Sequence, residues 1–390
     1  MIKEIKTNRV LLAIFVLIFI AIIVFLIRHQ IIPTKKSRQT QLTEQMTSEL
    51  SETKCNTDVT IDSFKLVHFP FDSLIEHAEE ITINLDEVPQ QELKLIRLIG
   101  HAENPAPDEP IFSQPKSLAM DSNNKIYVAD ATENQIIVCS IEGKLLQHIG
   151  RKGRGPGEFI NLSSIYINQK DELYINQSFR IQKFNKSYIY QNNFTLMKVK
   201  SLFSDISMIN NILFFPVAQN VPGQPSIEVY DLSKEKPQFI SSFFKAIAPE
   251  KNFSNQQSAI LSRNNVNIAS DAQRFLSVNR THQLFFYLID LKQQKAIKFK
   301  LNGISPATTD NANLPNIAVR FMVKDCSFDN NFCYVLIENK ILKIDLLNFN
   351  NLKILLISEK SNLWLNSIQV KDKKIFALSF VQKVIGLFDQ

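Results

Sequence analysis

Lys144–Phe159 reads KLLQHIGRKGRGPGEF, and its first seven residues restate Lys94–Gly100, KLIRLIG, about fifty positions upstream. A self-similarity at that period is the mark of a repeat architecture. The first copy is followed, after a loop, by Gln114–Asp130 (QPKSLAMDSNNKIYVAD), and the second by Asn161–Asn176 (NLSSIYINQKDELYIN). Each is a strand, a polar turn and a second strand. Gln135–Ser140 (QIIVCS) and Arg180–Asn185 (RIQKFN) supply third strands, so the repeating unit is a four-stranded meander.

Fainter copies continue to the end of the chain. Ile206–Ala218 leads to Ile227–Asp231, Val266–Val278 to Leu284–Asp290, Phe321–Ile337 to Ile341–Asp345, and Leu365–Phe380 to Val384–Asp389. Six units result. The sixth stops at its third strand, whereas the series opens with a strand that has no partner, Leu93–Ile99. Joining the two predicts a ring without a long exposed sheet edge. An open sandwich or solenoid would leave that first strand unexplained. The fold expected is all-β, a six-bladed β-propeller over 93–390 closed by an N-terminal strand.

The loop between the first two units has its own physics. Gly150 opens the loop; Gly153, Gly155 and Gly157 can take positive φ and Pro156 fixes its own, which sets a tight path from one outer strand to the next inner one. Phe159 is placed to anchor the loop in the core. Glu158 is placed to accept hydrogen bonds from loop amides. Arg151, Lys152 and Arg154 read either as a solvated rim or as a contact for an anion or acidic partner.

Gly150–Phe159 (GRKGRGPGEF) resembles the inter-blade loop of NHL-repeat propellers, roughly G-x-x-G-x-G-P-G-x-F. Leu173–Phe184 (LYINQSFRIQKF) is similar to that family's strand, turn and R-I-Q-x-F strand. Tyr127–Val138 (YVADATENQIIV) matches its Y-V-A-D version, with Gln135 where the family usually has Arg. The layout resembles six-bladed propeller proteins widespread in Bacteroidetes. The likeness is specific in blades one and two only, since His101–Phe112 lacks the glycines and later blades match in rhythm rather than in letters.

Val10–Ile27 (VLLAIFVLIFIAIIVFLI) is an uncharged apolar run of eighteen residues, spanning roughly 27 Å as a helix and close to a hydrocarbon core. A cleavable signal peptide would have a shorter run followed by small residues; Arg28, His29, Gln30 and Ile31 follow here. The expectation is an uncleaved transmembrane anchor at 10–27 behind a short segment 1–9. A polar tether 28–60 and a lead-in 61–92 come next. Basic residues flank the run on both sides, so charge bias alone does not orient it. The layout leads us to expect a single pass through the cytoplasmic membrane with the propeller on the extracytoplasmic, periplasmic side.

Of the net charge of +6, half sits in the first sixty residues, with eight Lys/Arg against five Asp/Glu. No concentrated basic face remains to mark a nucleic-acid binder. The six His are scattered without a close ligand pair, and no G-x-S-x-G elbow, P-loop or dinucleotide fingerprint occurs. No catalytic residue, metal ligand or cofactor is therefore assigned. If Asp329 and Asn330 are the central residues of a two-residue turn, Cys326 and Cys333 face each other across a hairpin at a Cα separation of about 4.5 to 5.5 Å. That geometry is compatible with a disulfide; two reduced core thiols are the competing reading.

The functional expectation is a membrane-tethered binding or scaffold propeller that presents one face to a protein, peptide or glycan, with Arg151, Lys152 and Arg154 as contacts and no nucleic acid as partner. The alternative is a metal-dependent hydrolase or lyase of the gluconolactonase-like propeller class. That reading requires acidic and Asn side chains meeting at a metal in the channel.

Overall fold

In the computed structural model the residues described are 69–100, 107–177, 180–195, 205–217, 223–234, 236–245, 266–279, 284–303, 323–358, 361 and 363–390. The expected anchor, the tether and the first part of the lead-in lie outside them. Among the described residues no helix is long and apolar enough to cross a membrane.

After a helix α1 (Phe71–Glu76) come β1 (Glu79–Asn84) and the long β2 (Gln90–Ile99). Blade one follows as β3 (Pro115–Met120), β4 (Ile126–Asp130), β5 (Gln135–Cys139) and β6 (Leu145–Ile149). A two-stranded parallel ribbon, β7 (Arg151–Lys152) with β8 (Glu158–Phe159), forms the inter-blade loop. Blade two is β9 (Leu162–Ile167), β10 (Leu173–Gln177), β11 (Arg180–Phe184) and β12 (Tyr190–Thr195). Blade three is β13 (Ser207–Ile209), β14 (Ile212–Pro216), β15 (Pro225–Asp231) and β16 (Gln238–Lys245). Blade four is β17 (Val266–Ser270), β18 (Arg274–Asn279), β19 (Phe285–Asp290) and β20 (Lys295–Asn302). Blade five is β21 (Val323–Asp329), β22 (Phe332–Ile337), β23 (Lys340–Asp345) and β24 (Leu352–Ile357). Blade six is β25 (Ser367–Lys371), β26 (Lys374–Ser379) and β27 (Val384–Asp389), with β2 as its fourth strand. The fold is an all-β propeller of six such sheets.

The closure is made by pairing Lys94–Ile99 antiparallel with Ile385–Asp389. The second strands are buried along almost their whole length, as in YVAD of β4 or ILFFP of β14, because neighbouring blades cover both faces. Their sequences are therefore continuous apolar runs rather than alternating ones.

The lead-in does more than connect. β1 adds to β20 as a parallel fifth strand of blade four, and the first half of β2, Gln90–Leu93, adds in parallel to β24 of blade five before β2 crosses into blade six. Glu80 pairs with Lys298 and Lys300, whose charges would otherwise line the outer edge of β20. Lys300 first, and Lys298 after it, hold the Glu80 carboxyl below its usual range. A single extended segment thus straps blades four, five and six from outside. Its pairing partners lie more than 200 residues away, so no local pattern announces it.

The hairpin of blade five corrects an expectation. Its central residues are Asn330 and Asn331, not Asp329 and Asn330: Asp329 stays in the strand opposite Phe332, and Asn330 takes φ +53°. Two forces set this register. Asn tolerates the left-handed region, and the Asp329 carboxylate accepts the Lys373 amide of blade six at 2.9 Å. Cys326 consequently faces Val335 and Cys333 faces Phe328. The cysteines are diagonal neighbours, about 7 to 8 Å apart between Cα atoms, beyond easy bridging. Both are buried thiols. Burial pushes the Cys333 thiol up to about 12, which keeps it unreactive.

Candidate binding face and channel

The motif loop is fastened from below by blade two. Arg180 donates to the carbonyls of Arg154 at 2.6 Å, Gly155 at 3.3 Å and Glu158 at 3.0 Å. Gln182 donates to the Glu158 carbonyl at 2.7 Å and accepts the Gly157 amide at 2.9 Å. Gln177 takes the Ile160 amide at 2.9 Å. These side chains explain the R-I-Q letters physically: they satisfy loop backbone groups that no sheet partner reaches.

Within the loop, the Glu158 carboxylate accepts the Gly155 amide at 2.9 Å and pairs with Arg151 at 3.0 Å. The Gly155 amide first, and Arg151 second, hold the Glu158 carboxyl below its usual range. Phe159 is fully buried and stands edge-on to Phe184 at 6.1 Å. Gly150 has φ +80°, and a Cβ there would come within 2.0 Å of the Phe159 ring. Pro156 is exposed at the tip and Gly153 sits against Glu158. The Glu158 carboxylate thus accepts a loop amide, and the Phe159 ring lies in the core.

All three basic residues are exposed; Arg151 pairs with Glu158 while its side chain stays 81% exposed, and Lys152 and Arg154 present theirs to solvent. Because the loop leads into β9, it lies at the end of the ring where first strands begin. The same end carries three exposed apolar side chains, Ile111 (55%), Trp364 (62%) and Val381 (69%). The Trp364 amide donates to Gln382 at 3.2 Å, which seats Trp364 beside the Val381 turn.

The first strands of all six blades line a central cavity of about 180 Å³. Near their starts lies a polar belt. Ser117 of blade one accepts the Ile165 amide of blade two at 3.3 Å and donates to the Asp205 carboxylate at 2.7 Å. Asn267 of blade four accepts the Asp205 amide at 2.8 Å and donates to the Asp325 carboxylate of blade five. Asp325 also accepts the Cys326 and Ile368 amides, each at 2.8 Å, and a bond from Ser367 of blade six. Asp325 is buried (3% exposed). Burial first, and the Asp205 carboxylate second, push its pKa up to about 7. A carboxyl in that range exchanges its proton near neutral pH.

This belt was missed in reading the sequence, although a signal exists. Each first strand carries, or in blade three is immediately preceded by, a polar residue followed by an apolar one: Ser117-Leu118, Ser164-Ile165, Asp205-Ile206, Asn267-Ile268, Asp325-Cys326 and Ser367-Ile368. Aligning the six units exposes the column. No single blade does.

The two acids and an Asn that meet here are what a channel metal site would need in kind, but each of them accepts hydrogen bonds from protein donors. Asp325 faces amide and hydroxyl donors, Asp205 takes Ser117, and the Asn267 carbonyl takes a backbone amide. Such a donor set does not fit a divalent cation, which requires several oxygens converging on one point. Among the described residues, no group of three or more His, Cys, Asp or Glu side chains is placed to hold a metal ion. His148 is exposed on the outer strand β6 of blade one.

Among curated proteins no sequence matches this chain. A family model described as a 6-bladed beta-propeller matches residues 106–271. Among solved structures the chain is similar to a putative exported protein of Bacteroides fragilis, at 13% identity and TM-score 0.50, covering 79% of this chain and 98% of that one. It is also similar to a Bacteroides thetaiotaomicron protein of unknown function, at 9% identity and TM-score 0.50, covering 76% and 75%. Virginiamycin B lyase from Staphylococcus aureus aligns at 13% identity and TM-score 0.47, over 76% of this chain and 99% of that one. At these identities the likeness to the two Bacteroides structures concerns the fold alone.

Proposed function

We propose that this chain is an NHL-type binding propeller, held at the cytoplasmic membrane by Val10–Ile27, that offers its first-strand face to an acidic protein, peptide or glycan ligand. The observation that carries the reading is the clamped loop. Arg180, Gln182 and Glu158 fix its backbone while Lys152 and Arg154 stay exposed on it. A rigid platform with unburied charges loses little entropy when a partner docks. Trp364 and Val381 on the same face add apolar area of the kind that recognition surfaces use.

The hydrolase or lyase reading has one observation in its favour, the meeting of Asp205, Asn267 and Asp325 in the channel. Their mutual hydrogen bonds favour a structural belt instead.

The test is a pull-down from the native membrane with the Arg151→Ala/Lys152→Ala/Arg154→Ala variant, at low and high salt, beside thermal melts. Association should weaken and lose salt sensitivity, with a melting curve close to wild type. Unchanged capture with unchanged salt dependence would remove the loop from recognition. For placement, protease added to spheroplasts should release the propeller; an intact protected domain would refute it.

A further inference from the structure

α1 packs against the outer strands of blades three and four, with Phe71 stacked on Phe243 of β16 at 4.0 Å between ring centroids. A cavity of about 220 Å³ lies beside the helix. Three aromatic rings wall it. Tyr287 of β19 stands edge-on to Phe244 of β16 at 5.3 Å and to Phe285 at 5.6 Å, the rings close to perpendicular in both pairs. Asp72 and Glu76 of α1 and Lys245 of β16 also line it, and all three are exposed. A cavity of roughly 150 Å³ is enough to hold one benzene ring, so this one has room for a whole side chain.

Two features of this corner cost stability. Phe244 holds φ +69°, where a bulky side chain is a genuine outlier. Consecutive side chains of a strand point to opposite faces, yet Phe243 and Phe244 are buried in the same apolar cluster. The left-handed residue thereby adds its ring to the cavity wall, and strain of this kind collects at ligand sites. Glu76 is the second feature. Asp72 suits the first turn of α1, whereas an acid in the last turn opposes the helix dipole, and no basic residue stands there. At i and i+4 the two carboxylates share one helix face, the one that lines the cavity.

The rings already show what they attract. Lys298 Nζ lies over the Phe285 ring at 4.8 Å. Burial first, and the Glu80 carboxylate second, push the Tyr287 hydroxyl above its usual range, so the potential beside that ring is negative. Two carboxylates against the one ammonium of Lys245 leave the mouth negative as well. An aromatic wall with acids at its mouth fits an organic cation. A guanidinium is flat and weakly hydrated, stacks on rings and grips carboxylates through its fork, which a compact ammonium does not do.

We propose that this cavity takes an arginine side chain of a partner polypeptide, held between the Phe285 and Tyr287 rings and the carboxylates of Asp72 and Glu76. It is a second recognition site, built from other residues than the basic loop and selecting the opposite charge.

Ligand-observed NMR titrations of the full chain in detergent, with butylguanidinium, butylammonium and neutral butylurea, test this. Butylguanidinium should bind saturably and at least about tenfold more tightly than butylurea, a margin within the range of a partly desolvated cation on aromatic rings. Salt should shrink that margin by screening the carboxylates. Asp72→Asn/Glu76→Gln should remove it, and because both positions are exposed the variant keeps its fold. Phe285→Leu should weaken butylguanidinium more than butylurea, whereas Arg151→Ala/Lys152→Ala/Arg154→Ala should change neither. Absence of saturable binding, equal affinity for butylurea, or a margin that survives Asp72→Asn/Glu76→Gln overturns the proposal. Tighter binding of butylammonium than of butylguanidinium overturns the assignment to arginine.

Discussion

Blade two and blade four solve the same problem, fastening a sheet into a ring, by opposite means. In blade two the fastening is local and written in the blade's own letters. Gln177, Arg180 and Gln182 reach back to the carbonyls and amides of the loop that feeds it, and Phe159 plugs the seam. In blade four the inter-blade glycines are gone and the outer edge carries Lys298 and Lys300. The fastening there is a strand from the far N-terminal side, with Glu80 opposite those lysines. Blades five and six share that strap through β2. A propeller whose later repeats have decayed can therefore keep its ring if a distant segment supplies what the repeats have lost.

The comparison breaks most visibly if the strap is removed. A chain starting at Pro105 lacks β1 and β2, leaving β20, β24 and β27 without their outer neighbours; aggregation or loss of the folded state is expected, read by light scattering and circular dichroism. A stable folded monomer from that chain would mean the strap is dispensable.

The local fastening should cost less to break. Phe159→Ala leaves a cavity under the loop and should destabilise by about 3 to 5 kcal/mol. Arg180→Ala strands several carbonyls that are only part-buried, and about 1 to 3 kcal/mol is expected. Both values come from denaturant unfolding, and equal losses for the two variants would argue against the anchor-over-clamp ranking.

The smallest effect concerns the belt, which passes through strapped and unstrapped blades alike. The folded-state pKa of Asp325 is raised above its unfolded value, so its contribution to stability is fully present below about pH 4 and is lost as pH rises through about 7. Melts between pH 5 and pH 8 should show this decline. The slope should disappear in Asp325→Asn, whatever that variant's baseline stability, and a slope that persists would assign the titration to another group.

How much of this was legible in the sequence follows from how far each feature reaches. Strand rhythm, the six-unit count, the orphan strand at Leu93–Ile99 and the loop roles of Glu158 and Phe159 are all carried by residues close together in the chain, where period and turn chemistry speak directly. Lys152 and Arg154 lie on the surface, as does Arg151, whose bond to Glu158 needed the folded loop to be seen. The blade-five hairpin shows how narrow the margin is. A slip of one residue at Asn330 turned a facing cysteine pair into a diagonal one, because an Asp329 contact from the next blade decided the register.

The sequence by itself determined a ring of four-stranded units, its closing strand and the tight path of one inter-blade loop, since patterning and glycine placement are local properties. Only the tertiary structure decided the strap and the channel belt. Parallel pairing across more than 200 residues and hydrogen bonds among Ser117, Asp205, Asn267, Asp325 and Ser367 depend on distances that exist only after the ring has closed.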